Sequence, residues 1–337
     1  MYPWQSSAWS RLIERRASLP HALLIQGRPG LGKTHLARVF ARSLLCEQPI
    51  AGGGACGACA ACGWFDQGNH PDYRQVQPEA LDPGDGEEPK RGEGAAPSRQ
   101  IRIDQVRELQ PFLRVGTHRG GLRIALIRPA EAMNAATANA LLKSLEEPPD
   151  RTLLLLVSSD PQRLLPTVRS RCQGVTVFPA NAETAAAWLR AQGVADAEGV
   201  ASFAGNAPLA ALEQAGFAEA RAALAELLSD PDLDPVRGAE LCLGPPLPEV
   251  LSWIQKWTYD LLRLRSGAAP RYHPGAGAGL ARVAGRLDPL GLARYAARVA
   301  EARALALHPL NPKLVLEDLL IRYRELAMGQ GTGGSNG

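Results

Sequence analysis

Long apolar runs are missing from this 337-residue chain; none exceeds five residues, as at Leu153–Val157. A bilayer-crossing helix needs about 20, so none is expected. The first residues, MYPWQSSAWSRLIERR, lack the basic-then-apolar order of a secretory signal. The expectation is a cytoplasmic protein with no membrane partner. A large excess of one charge is missing too. The net charge of +3 points only weakly to nucleic acid. Lysine is scarce, five against 32 arginines. Genome base composition produces such an excess, so it is not read as an RNA-binding signal. Cysteine is infrequent, at six residues, and cytosolic thiols rarely form disulfides.

What is present suffices for two or three domains with real cores: 45% of the residues are hydrophobic. The first half alternates strand and helix signals. HALLIQ (21–26) reads as a short strand entering a glycine turn. THLARVFARSLL (34–45) then places Leu36, Val39, Phe40 and Leu44 on one helical face. DYRQVQ reads as a second strand. LRIALI (122–127) and LLLLV suit buried parallel strands. Between these two runs lies a helix with Ala138, Leu141, Leu142 and Leu145 in register. Asn134 caps it, and Pro148 and Pro149 end it. This alternation implies an α/β domain with a parallel sheet. PEALDPGDGEEPKRGEGAAPS (78–98) is too polar to offset its ordering, so a mobile insertion is expected there. Strand signals stop near Pro179, and GPPLP (244–248) breaks the helical remainder. Beyond it, Val250, Leu251, Ile254, Trp257 and Leu261 form one stripe; Leu316, Leu319, Leu320, Tyr323 and Leu326 form another, on a helix opened by Asn311 and Pro312. Part of these stripes is expected to pack inside the domain and the rest to meet neighbouring chains.

Three motifs bear on chemistry. GRPGLGKT (27–34) follows a strand and opens a helix, the context a phosphate-binding loop requires. Its glycines turn backbone N–H groups toward phosphate oxygens, Lys33 supplies a point charge, and Thr34 offers a hydroxyl to Mg²⁺. Cys46, Cys56, Cys59 and Cys62 are spaced C-x9-C-x2-C-x2-C among glycines. Four thiolates suit a closed, tetrahedral, structural Zn²⁺ site with no position left for catalytic water. In PTVRSRCQ (166–173), spacing alone makes Arg171 an ordinary surface arginine.

In order along the chain come GRPGLGKT, the cysteines, GNHPD (68–72), NALLKSLEEPP (139–149), LLPTVRSRCQ (164–173) and NPKLVLEDLLIRY (311–323). The set resembles the clamp-loader branch of the AAA+ ATPases, and within it the delta-prime family of bacterial DNA polymerase III. That resemblance implies an AAA+ P-loop domain with a parallel sheet over 1–179, carrying a zinc module at about 46–62. It implies a small helical lid over 180–243 and an all-α collar over 244–328; the tail 329–337 is expected to be disordered. Gly27, Arg28, Pro29, Gly30, Leu31, Gly32, Lys33 and Thr34 match the nucleotide-binding loop, and the four cysteines match the family's zinc ligands. Arg171 matches an arginine finger that reaches into the ATP site of a neighbouring motor subunit. The implied partners are gamma/tau and delta subunits in a hetero-oligomeric ring. Through that ring come the sliding clamp and primed DNA, in service of a DNA-directed DNA polymerase.

Departures from the motor subunit decide the expected activity. The motor carries Asp-Glu directly after its strand; this chain has Arg128 and Pro129. The Asp would hold Mg²⁺, and the Glu would polarise the attacking water. Glu131 is expected to point elsewhere. Ser158 and Ser159 end the next strand without replacing these charges. In the lid, GNAP (205–208) stands where the motor has Gly-Ser-x-Arg. The chain is therefore expected to cradle ATP or ADP through its P-loop, with no competent Mg²⁺ site, and to hydrolyse poorly while lending Arg171 in trans. The alternative is an active gamma/tau-like ATPase. An unrelated zinc-containing AAA+ regulator would not account for LLKSLEEPP together with SRC.

Overall fold

The computed structural model describes residues 1–81, 97–118, 120–306 and 310–329. Most of the expected insertion, 82–96, and the tail from 330 lie outside them. The chain divides into two units, Met1–Ala180 and Asn181–Gly337.

The first unit runs α1 (Ser6–Glu14), β1 (Ala22–Gln26), α2 (Lys33–Leu45), α3 (Ala60–Asp66), β2 (Tyr73–Val76), α4 (Ile103–Arg114), β3 (Arg123–Ile127), α5 (Ala135–Glu146), β4 (Thr152–Ser158), α6 (Pro166–Arg169) and β5 (Gln173–Thr176). The five strands form one sheet in the order β2-β3-β4-β1-β5, every pair parallel. β3 and β4 are buried along their whole length, and β1 along all but its last residue. Successive side chains of a strand point to opposite faces. Leu24, Ile127, Leu154 and Leu156 accordingly meet Leu109 of α4 and Leu141 of α5 in one core. Leu23, Ile25 and Leu155 alternate with them, on the face against which α2 packs. Burial on both faces explains why these strands read as apolar runs rather than alternating patterns. Asn134 caps α5 as expected, its Oδ1 accepting from the Thr137 N–H at 2.9 Å.

The GNHPD segment has a structural task. Asp72 is buried at the start of β2, and its carboxylate accepts from the His118 N–H at 3.0 Å and from the Arg123 guanidinium at 3.3 Å. Arg123 also donates to the carbonyls of Phe112 and Gly116. One ion pair thus fastens the end of α4 and the loop after it to β2 and β3.

The second unit is helical among its described residues: α7 (Ala182–Ala191), α8 (Ala197–Phe203), α9 (Pro208–Ala215), α10 (Ala218–Leu228), α11 (Pro235–Leu241), α12 (Leu247–Arg265), α13 (Gly277–Ala284), α14 (Pro289–Leu305) and α15 (Pro312–Ala327). α7, α8 and α9 pack on one another. α10 and α11 contribute Leu224, Leu228 and Ala239 to the same core as α12, α14 and α15. GPPLP therefore falls between two helices of a single core. Trp257 Nε1 donates to the Tyr323 hydroxyl at 2.8 Å, which donates to the Leu228 carbonyl at 2.7 Å, tying α12, α15 and α10 together.

One expectation about this unit is corrected. Val250, Leu251, Ile254, Trp257 and Leu261, with Leu316, Leu319, Leu320 and Tyr323, are all buried in that core. Only Leu326 is half-buried, so the two stripes meet each other and leave almost nothing for a neighbour. The exposed apolar positions of α15 lie elsewhere, at Leu314 and Ile321, followed by Met328 at its C-cap.

Candidate nucleotide, metal and finger sites

The phosphate loop connects β1 to α2, with Gly32 as the N-cap of the helix. Gly30 and Gly32 have φ of 75° and 71°, angles that cost glycine little and other residues more. A Cβ on Gly32 would lie 2.8 Å from the Tyr2 ring and the Gln5 amide. The loop is braced by the start of the chain. Trp4 Nε1 donates to the Leu31 carbonyl at 3.1 Å, and Gln5 Nε2 donates to the carbonyls of Leu31 and Gly32, both at 2.9 Å. The Tyr2 ring stacks on Trp4 at 4.9 Å and lies 5.1 Å from His35.

Lys33 is 5% exposed, and its ammonium donates to the Arg28 carbonyl at 2.7 Å, across the hollow of the loop. Burial lowers its pKa to about 8, opposed by the charge of Glu131. Glu131 was expected to point away; it does not. A single 3-10 turn, Ala130–Ala132, follows Pro129 and turns residue 131 back toward the end of β4. There its Oε1 accepts from the Ser159 N–H at 2.8 Å, while Oε2 is buried with no hydrogen-bond partner among the described residues. A carboxylate thus stands near the phosphate loop although the two residues directly after β3 are Arg128 and Pro129.

The four cysteines converge. Cys46 ends α2, Cys59 caps α3, and the four Sγ atoms lie within 4.8 Å of one another. The Cys46–Cys59 separation is 3.9 Å, close to the ~3.8 Å edge of a tetrahedron built on Zn–S bonds of about 2.3 Å. Backbone N–H groups already point at the sulfurs: Cys56 N–H donates to Cys46 Sγ at 3.2 Å, and Ala58 and Cys59 N–H donate to Cys56 Sγ at 3.4 Å. Desolvation would raise the Cys59 thiol, but hydrogen bonds from the Cys62 and Glu47 N–H groups and from neighbouring thiols bring it down to about 6. Burial pushes Cys62 up to about 12. Such a mixed set becomes uniform only when a cation draws off the remaining protons. The donor set and its geometry fit Zn²⁺. Trp9 and Arg16 hold the module against α1 through the carbonyls of Gly52 and Gly53, each at 3.3 Å.

Arg171 lies between α6 and the edge strand β5, apart from the loop residues just described in its bonding. Its guanidinium pairs with Glu146 at 2.8 Å and donates to the Thr167 carbonyl at 3.0 Å and the Ser170 hydroxyl at 3.3 Å. Glu146 is the last residue of α5, so LLKSLEEPP and SRC meet through one partly exposed ion pair. The sequence marks both motifs but not this contact between them. The orientation of Glu131 and the Trp4–Gln5 brace were not legible there either, since their signals are single polar residues without periodicity.

Comparison with known proteins identifies the family. The family described as "DNA polymerase III, delta subunit" matches residues 4–181, and "DNA polymerase III, delta subunit, C terminal" matches residues 216–325. The chain is 37% identical to "DNA polymerase III subunit delta'" of Pseudomonas aeruginosa, covering 97% of this chain and 98% of that one. It is 30% identical to the protein of the same name in Escherichia coli, over 95% and 94%. Similarity to "DNA polymerase III subunit tau" of Escherichia coli is partial: 34% identity over 45% of this chain and 20% of that one.

Proposed function

The chain belongs to the DNA polymerase III subunit delta-prime family, and from that premise we propose that it is the assembly subunit of a clamp loader, one that hydrolyses ATP poorly and lends Arg171 to a neighbour. One observation carries this reading: Arg128 and Pro129 stand after β3 beside an otherwise intact phosphate loop. An arginine there repels Mg²⁺ where an aspartate would hold it. Gly27–Thr34 then serves as a place for ATP or ADP without turnover, Lys33 and the N-terminus of α2 meeting the phosphates. Cys46, Cys56, Cys59 and Cys62 would hold one Zn²⁺, which supplies no chemistry but fixes α2 to α3. The lid was expected over 180–243 and the collar over 244–328; because α10 and α11 share the core of α12, α14 and α15, this reading keeps α7–α9 as the lid and adds α10 and α11 to the collar. The partners are gamma/tau and delta subunits and, through the ring, the sliding clamp and primed DNA.

The position of Arg171 supports the trans role. A partly exposed arginine held by one partly exposed carboxylate exchanges partners at little cost, since such pairs are worth about 0–1 kcal/mol. A finger in a phosphoryl-transfer site is worth roughly 10³–10⁵ in rate, or about 4–7 kcal/mol. Releasing Glu146 therefore costs little beside the transition-state stabilisation that a finger gives. In the reconstituted ring, Arg171→Ala is expected to lower ATPase and clamp loading while leaving folding and assembly intact. Arg171→Lys should rescue poorly, because an ammonium lacks the planar fork. Unchanged ring ATPase in Arg171→Ala would eliminate the finger role.

Glu131 favours a second reading, an active motor-type ATPase in which this carboxylate takes over the polarisation of water. Turnover by the isolated chain at a motor-like rate, abolished by both Glu131→Gln and Lys33→Ala, would establish it in place of the first.

A further inference from the structure

A cavity of about 650 Å³ opens among the end of α12, the α13–α14 turn, α14 and the end of α15. Five arginines line it: Arg265, Arg286, Arg294, Arg298 and Arg322. Two are matched on their own helices, Arg322 with Asp318 at 2.9 Å and Arg298 with Glu301 at 3.3 Å. The other three are not. Among the described residues the Arg265 side chain reaches only the Ala284 carbonyl, at 3.5 Å. The side chains of Arg286 and Arg294 make no hydrogen bond or ion pair among the described residues. Two acids share the lining, and one is already engaged: the Asp288 carboxylate accepts from the Gly291 N–H at 2.6 Å, capping α14. The other, Glu325, interacts electrostatically with the already matched Arg322. Gathered like charge around a concave surface focuses a field that attracts anions.

The lining beneath the arginines is apolar. Leu287 and Tyr295 are buried and Leu326 is half-buried. The Tyr295 hydroxyl is buried without a hydrogen-bond partner among the described residues, a deficit that native interiors rarely leave. The volume falls within the range of about 300–1,000 Å³ typical of ligand sites. Two features select the ligand class. Guanidinium forks match carboxylates in bidentate geometry, and an apolar floor matches a hydrocarbon side chain. Tyr295 is the one aromatic residue of the lining, and its ring is buried. The stacking platform that single-stranded nucleic acid requires is absent from the cavity as described.

We propose that this cavity binds an acidic peptide segment of another protein, with carboxylates on Arg265, Arg286 and Arg294 and an apolar side chain on the Leu287–Leu326 floor. The test is fluorescence anisotropy of the full chain with fluorescein-labelled Asp-Glu-X-Glu-Asp peptides, X being Leu, Ile, Met or Phe. Comparison probes are the X = Ser peptide and a labelled thymidine decamer. Saturable binding is expected for the apolar peptides and weaker binding for X = Ser. The double variant Arg286→Glu, Arg294→Glu should weaken the apolar peptides at least about tenfold, with an unchanged thermal melt. Both side chains are exposed, so the fold does not depend on them. No saturable binding by any of the four apolar peptides overturns the proposal. Equal affinity for X = Ser replaces it with diffuse charge attraction, and tighter binding of the decamer replaces it with a nucleic-acid site.

Discussion

Burial brings the Lys33 ammonium down to about 8, so the charge that would meet a phosphate is present at neutral pH and lost as pH rises through 8. The unfolded chain keeps that proton to about 10.5. Between the two values the unfolded state binds more protons, and the contribution of Lys33 to folding stability rises with pH. Anion binding has the opposite sign, because phosphate selects the charged lysine. ADP affinity measured by titration calorimetry should therefore fall between pH 7 and pH 9, by up to about tenfold for the unit above 8. In Lys33→Ala that decline should vanish along with most of the affinity. A flat pH profile in the unsubstituted chain would mean that the Arg28 carbonyl keeps Lys33 away from the nucleotide. Glu131 acts in the same small space, and its carboxylate raises what burial lowers. Removing it by Glu131→Gln should shift the decline to lower pH.

At the scale of elements, legibility followed burial. β1, β3 and β4 were readable as apolar runs because both faces of the sheet are covered. β5, with the sequence QGVT, lies at the sheet edge with its first two residues exposed, and no apolar run marks it in the sequence. The phosphate loop and the cysteine cluster were legible because glycines and thiols carry their chemistry in fixed spacing. The Glu131–Ser159 and Arg171–Glu146 contacts were not, since each depends on how separate elements end. The cysteine module spans one such pair of ends, Cys46 after α2 and Cys59 before α3. Metal analysis is expected to give about one Zn²⁺ per chain, the stoichiometry of a single four-thiolate site. Cys59→Ser should lower metal content and destabilise the α2–α3 connection, seen as faster amide exchange over 46–66. A folded, metal-free protein with unchanged exchange would show that the sulfurs converge for another reason.

At the scale of the whole molecule, the proposed ring needs a surface of this chain through which to form. The stripes that look interfacial in sequence, Val250–Leu261 and Leu316–Tyr323, are spent on the internal core. What α15 leaves outside is Leu314, 62% exposed, Ile321, 39% exposed, and Met328, 50% exposed. These positions are seven residues apart, the repeat that keeps one helix edge against a partner helix. Exposed apolar side chains set in a row cost solubility unless something covers them. In the clamp-loader reading, a collar helix of the adjacent subunit does so. The double substitution Leu314→Glu, Ile321→Glu should leave the melt of the isolated chain within about 0.5 kcal/mol of the original, as surface changes do. It should exclude the chain from the ring in size-exclusion chromatography. Leu316→Ala tests the other side of the same helix: its side chain is buried, so it should cost about 2–5 kcal/mol of stability. Any loss of assembly it causes should track that loss and recover at lower temperature. If the double glutamate variant enters the ring in full stoichiometry, the collar contact lies on another face of the second unit, and the exposed row on α15 serves some other partner.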